Sequence, residues 1–162
     1  MVLIKHFFLG FCLIFLIMSL TSGRALSQPE LTDGETVYVS VYSHVYSGPK
    51  LIKFQLSAML TIRNTDPRES VIVTKVDYYD TKGKKLDSYL NEPKKLGPLE
   101  TKYFHVKEYD ERGGAGANFI VEWHSEKPVN SPIIESLMLG TRSGQGISFI
   151  STGQVIKDSA AK

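Results

Sequence analysis

The sequence predicts an all-β protein, an immunoglobulin-like antiparallel β-sandwich of about eight strands, and three observations carry that expectation. Hydrophobic residues recur with period two over most of the chain, which sets alternate side chains on opposite faces of a strand. Clusters of Gly, Pro, Asn and Asp interrupt the alternation at short intervals, as turns between strands do. The 162 residues are 42% hydrophobic and 22% charged, an ordinary globular balance that supplies one core rather than several.

The first residues stand apart from that pattern. Lys5 and His6 precede the uncharged apolar run Phe7–Leu20, and small residues follow at Gly23-Arg24-Ala25 and Ala25-Leu26-Ser27. This is the layout of a secretory signal peptide over residues 1–27. The run is shorter than the roughly 20 apolar residues that cross a bilayer, which favours a cleaved leader over an anchor and predicts no stable membrane insertion afterwards. Cys12, the single cysteine, follows the bulky Phe11, where a lipoprotein cleavage site would need a small residue. It leaves with the leader, so the exported domain is disulfide-free. Losing Lys5 and Arg24 also brings the 19 bases level with the 17 acids, and no basic footprint for nucleic acid remains. The expected location is periplasmic or secreted.

After an N-terminal segment at 28–36, one domain is expected over 37–156. Val37, Val39, Val41 and Val45 share a face of the first strand, with Tyr38, Tyr42, His44 and Tyr46 on the other. Phe54–Arg63 alternates Phe54, Leu56, Ala58, Leu60 and Ile62 with polar or weakly apolar residues, a half-buried strand. Asn64-Thr65-Asp66-Pro67 stops it, because Asn and Asp favour turns and proline cannot continue a ladder. Val71–Tyr79 is rich in β-branched and aromatic residues, and Asp80–Gly83 turns it into Lys85–Leu90. Asn91–Glu100, with Pro93, Gly97 and Pro98, reads as a loop. Thr101–Lys107 is a strand, the glycine-rich Gly113–Ala117 a loop, and Asn118–His124 a strand that ends before Pro128–Pro132. Ile133–Leu139 admits a strand or one short helix begun by Ser131 and Pro132, and its length favours the strand. Ile147–Ser151 and Gln154–Ile156 complete the pattern, with a frayed tail at 157–162.

The strings Leu60–Pro67 (LTIRNTDP), Val76–Asp80 (VDYYD), Gly116–Trp123 (GANFIVEW) and Gly146–Phe149 (GISF) resemble a family of exported bacterial proteins catalogued as a domain of unknown function. The resemblance spans about Val37 to Ile156 and implies no activity, substrate or catalytic residue. Phe54–Pro67 followed by Val71–Asp80 is also similar to the water-stress and hypersensitive-response domain of desiccation proteins. That likeness implies an immunoglobulin-like sandwich.

No catalytic motif stands out. His44, His105 and His124 fall on three different expected strands, and only Glu122 with His124 could offer two ligands from one face. Zinc or copper needs three or four converging groups, so no metal site is expected. Ser143 in Gly140-Thr-Arg-Ser-Gly144 departs from the G-x-S-x-G nucleophile elbow, and a chain without its leader cysteine has no thiol nucleophile. Phosphate loops aim a helix N-terminus at the anion, whereas both glycine-rich loops here precede strands. Asp77 and Asp80, or Asp110 and Glu111, could pair as catalytic acids, but acids beside turns ordinarily form or solvate them. The reading is therefore of no enzyme and no cofactor.

Two binding features remain. Tyr38, Tyr42 and Tyr46 form an aromatic strip, flat area with hydroxyl tips that suits glycan or peptide. If successive strands are antiparallel, the connections at 47–50, 80–84, 108–118 and 140–146 fall at one end of the sandwich. That end gathers Arg112, Asn118, Arg142 and Gln145, and sandwiches often recognise ligands through such loops. The alternative for the glycines is that they only permit positive φ in tight turns. The sequence thus predicts an exported binding module for a small ligand, glycan or protein of the cell envelope. A stress-protective or structural envelope protein without a discrete ligand is the second reading, and a small hydrolase or metal-dependent enzyme the third.

Overall fold

A computed structural model describes residues 30–157. The expected leader with Cys12 and most of the expected tail lie outside the described residues.

Twelve antiparallel strands follow one another: β1 (Thr32–Val41), β2 (His44–Ser47), β3 (Ile52–Gln55), β4 (Ser57–Arg63), β5 (Val71–Tyr79), β6 (Lys85–Ser88), β7 (Lys94–Leu96), β8 (Thr101–Val106), β9 (Ala117–Val129), β10 (Ile133–Arg142), β11 (Gln145–Thr152) and β12 (Gln154–Ile156). One sheet has the order β12-β1-β9-β5-β6, with β7 also pairing on β5. The second has the order β11-β10-β4-β8, and β2 with β3 forms a separate hairpin. The two larger sheets pack as a sandwich, because each presents an alternating apolar face that must be buried.

The core is built from alternating inward positions, of which the period-two pattern names those of β1 and β4. Val39 and Val41 of β1, Leu60 and Ile62 of β4, Val76 and Tyr78 of β5, and Phe119 and Val121 of β9 are fully buried. Each such aliphatic or aromatic side chain contributes about 1.5–3 kcal/mol relative to exposure. Ile133–Leu139 lies in β10, hydrogen-bonded to β4 and β11, so the strand reading holds there. Among the described residues the only helical turn is the short 3-10 segment Gly114–Gly116.

Several differences from the sequence reading have a local cause. β1 begins at Thr32, within the segment set aside as N-terminal, because Thr32–Val41 pairs along β9. The expected loop 91–100 contains β7, which pairs Leu96 with Val71 and buries Leu96 completely. The expected strand Val37–Val45 is cut at Tyr42-Ser43. There the Ser43 N–H donates to the Gly114 carbonyl at 2.9 Å and the Ser43 carbonyl accepts from the Leu56 N–H at 3.0 Å. Those two bonds pull the backbone off β9 and into the β2–β3 hairpin.

The Asn64–Asp66 turn closes the other end of the sandwich. Buried Asn64 donates through Nδ2 to the carbonyls of Glu69 and Gly97, each at 2.8 Å, and accepts through Oδ1 from the Asp66 N–H. Asp66 accepts from the N–H groups of Arg68 and Glu69 and from Asn130. The N–H of Arg68, then that of Glu69, holds its carboxyl below the usual carboxylate range. Thr65 reaches the Ser131 carbonyl at 3.0 Å. The polar string after β4 is thus a knot of satisfied groups that ties three connections together.

Candidate functional site at the loop end

The 80–84, 108–116 and 47–55 segments meet at the end opposite that knot. Thr81 joins two of them. Its N–H and its hydroxyl both donate to the Gly113 carbonyl at 2.9 Å, and the hydroxyl accepts from the Gly116 N–H at 3.0 Å. Glu111 joins the third, its carboxylate accepting from Lys53 Nζ and Gln55 Nε2. Lys53 and then Gln55 hold that carboxyl below its ordinary range. The 142 side of the next hairpin closes in as well, with Arg142 Nη1 donating to the Lys53 carbonyl at 3.1 Å.

The glycines serve two different ends. Gly114 and Gly144 adopt positive φ, 79° and 78°, which a side chain would resist. Gly113 has an ordinary helical φ of −66°; what it requires is space, because a β-carbon there would run into the buried Tyr78 ring. Permission for positive φ therefore accounts for only part of the glycine content.

Arg112 stands at the centre of this end. Its Nε donates to Asp110 Oδ1 at 2.8 Å, and Nη2 donates to Asp110 Oδ2 at 2.7 Å and Asp87 Oδ2 at 2.6 Å. Asp110 and then Asp87 raise the guanidinium pKa well above its usual value, while its side chain remains 54% exposed. Beside it an open cleft of about 620 Å³ is lined by Tyr89, His105, Lys107, Tyr109, Asp110, Glu111 and Arg112. Burial pushes the Tyr89 hydroxyl up to about 12, so it stays a neutral donor and acceptor. Tyr109 is exposed, with Lys107 Nζ 5.5 Å from its ring centroid. A second cleft of about 420 Å³ lies among Lys53, Phe54, Gln55, Glu108, Thr141 and Arg142. Aromatic surface, three carboxylates (Glu108, Asp110 and Glu111) and four cations (Lys53, Lys107, Arg112 and Arg142) thus line the two clefts.

The expected site residues divide. Arg112 and Arg142 each line one of these clefts. Gln145 sits exposed opposite Arg142 at the tip of the β10–β11 hairpin, outside both linings. Asn118 lies in register between Ser40 and Tyr79, so its side chain belongs to the outer face of the first sheet. The tyrosine strip does not form as one face, because the chain breaks at Ser43. Tyr38 stands on β1 between Gln154 and Ile120, Tyr42 packs edge-on to Phe149 with centroids 5.6 Å apart, and Tyr46 is exposed on β2.

The pattern gave no sign of Glu111, Lys53, Gln55, Asp87, Thr81, Tyr89 or Tyr109 as a group. The nearest signal for Lys53 is its position just beyond the 47–50 connection, whose end was foreseen. Among the described residues no three His, Cys, Asp or Glu side chains converge to hold a metal ion. Glu122, one of the two ligands considered, is engaged by Lys75 Nζ. No helix of the described residues is long and apolar enough to cross a membrane.

No curated protein matches the chain. It is similar to a solved structure described as the crystal structure of Thermotoga maritima 1070, at 10% identity and a TM-score of 0.47, over 76% of this chain and 96% of that one. Residues 34–156, from the third residue of β1 to the end of β12, match the family described as "Protein of unknown function (DUF3124)", and the chain belongs to that family.

Proposed function

We propose that the protein is an exported, non-enzymatic binding module that takes a glycan, peptide or small polar ligand of the cell envelope at its loop end. The observation that carries the reading is the cleft beside Arg112. It opens where three loops from separate strand pairs are hydrogen-bonded together, and it combines the exposed Tyr109 ring with Lys107, His105 and Arg112. Ligand sites generally pair such aromatic surface with a few fixed polar groups. The signal-peptide layout of residues 1–27 supports export. Residues of the Glu108–Arg112 stretch line both clefts, which suits an extended ligand lying across it.

A structural envelope role is the second reading, and one observation favours it. Asp87 and Asp110 already occupy Arg112, so its positive charge is matched within the chain.

Thermal unfolding of the purified protein against glycans, peptidoglycan fragments, peptides and divalent metals separates the readings. A ligand at 100 times its dissociation constant adds about 2.7 kcal/mol to stability. Arg112→Ala and Arg142→Ala are expected to abolish that shift. Because Arg112 is exposed, its own loss changes stability by less than about 1 kcal/mol. A panel without any shift would move the weight to the structural role.

A further inference from the structure

The chain passes from the second sheet to the first at Gly153, whose N–H donates to the Ile134 carbonyl at 2.8 Å. There β11 is the outer strand of one sheet and β12 the outer strand of the other. From Gln145 to Ile156 no residue is charged. Exposed sheet edges are ordinarily blunted by lysine, proline or brevity, because their unpaired N–H and C=O groups would otherwise recruit another strand. The opposite edge, β8, follows that rule with Lys102 and with Lys107 just beyond it. β11 runs for eight residues with no such guard.

The core is also open on this side. Ile147 and Phe149 face inward, Phe149 lying opposite the fully buried Met138. Both are nevertheless only half-buried. Val155 pairs with the buried Val37 yet is 45% exposed, and Ile150 on the outer face is 59% exposed. Among the described residues, an unguarded strand edge and an uncovered core margin therefore coincide.

We propose that a second copy of this chain covers this edge, its β11 pairing antiparallel with the first about a two-fold axis. The lack of charge admits this occupant. A two-fold contact sets a surface patch against itself, so a charged strand brings like charges together. β11 brings none together in any register. With Ser148 at the axis, Ile147 and Phe149 face each other across the pair and close the open margin of both cores. Two four-stranded sheets become one continuous sheet, and the Arg112 cleft stays free. The inference does not depend on what that cleft binds.

Sedimentation velocity and light scattering on the purified protein across the micromolar range test it. The unchanged protein is expected at twice the chain mass, with the outward β11 amides protected from hydrogen exchange. Ile150→Lys and Ser148→Lys place a cation on the exposed face of β11 and are expected to return the chain mass with an unchanged circular dichroism spectrum. Ser148→Lys replaces an exposed polar residue, so it keeps the test informative if Ile150→Lys perturbs folding. Tyr103→Lys on β8 should leave the doubled mass intact. A single-chain mass at every concentration overturns the proposal, as does a dimer that survives both β11 substitutions or is lost with Tyr103→Lys. Protection of β11 that arises only when vesicles or peptides are added would assign the edge to another partner.

Discussion

Gly113 lies directly against Tyr78, so closely that a β-carbon on the glycine would collide with the phenol oxygen and approach the Ala117 β-carbon at 2.8 Å. Tyr78 is fully buried and its hydroxyl meets Ser43 Oγ at 3.2 Å, so it has nowhere to retreat. Gly113→Ala is expected to destabilise by about 1–3 kcal/mol, the range for overpacking a filled site. Urea denaturation measures it. An unchanged midpoint would mean that the 108–116 loop yields freely.

Asn64→Ala should cost about 1–3 kcal/mol, because it leaves the partly buried carbonyls of Glu69 and Gly97 without their donor. The same denaturation series reads the loss. The ligand binding proposed for the far loop end is expected to survive at temperatures where the variant remains folded.

Thr81→Ala removes the hydroxyl that bridges the Gly113 carbonyl and the Gly116 N–H. The cost to global stability is about 1 kcal/mol. Amide exchange of Gly116 should quicken much more than that of Phe119 in β9, which keeps its pairing with Val39. Uniform quickening across both positions would place the bridge outside the local ordering of the loop.

Acid sensitivity should follow His44. Burial, then the Lys53 ammonium, lowers its pKa below 6.5, against the pull of Glu111, and its buried Nδ1 has no hydrogen-bond partner among the described residues. The unfolded chain then binds a proton that the folded chain resists. Stability from this source is complete above about 6.5 and declines as the pH falls from there toward the depressed folded pKa. His44→Phe is expected to flatten the urea midpoint over that window, and an unchanged slope in the variant would assign the sensitivity elsewhere.

The alternating strands were legible because a strand buried on one face writes its orientation into every second residue. Leu56, Leu60 and Ile62 are fully buried as their spacing required. The break at Ser43 was not legible, since Val45 and Tyr46 keep the alternation across it and the bonds responsible come from Gly114 and Leu56. β7 was hidden by Pro93, Gly97 and Pro98, which mark turns but leave Lys94–Leu96 free to pair. At the site, parity of the connections placed Arg112 and Arg142 at one end. The Glu111 contacts with Lys53 and Gln55 join residues far apart in sequence, and no short-range pattern encodes such a reach.

The knot around Asn64 and Asp66 also marks where the domain can be held. Thr32 pairs with Val129, next to Asn130 of the knot, and β12 runs back the same way, with Ile156 opposite Thr36. Both described termini leave toward that end. The loops around Arg112 stand at the other end of the ten-residue β1, roughly 30 Å away at the usual strand rise. Any surface gripping the domain by either terminus would hold those loops at a standoff, turned outward. A fluorescent label joined directly at Glu30 or Lys157 leaves them unshadowed, whereas one inserted at Lys82 or Ser143 sits among them.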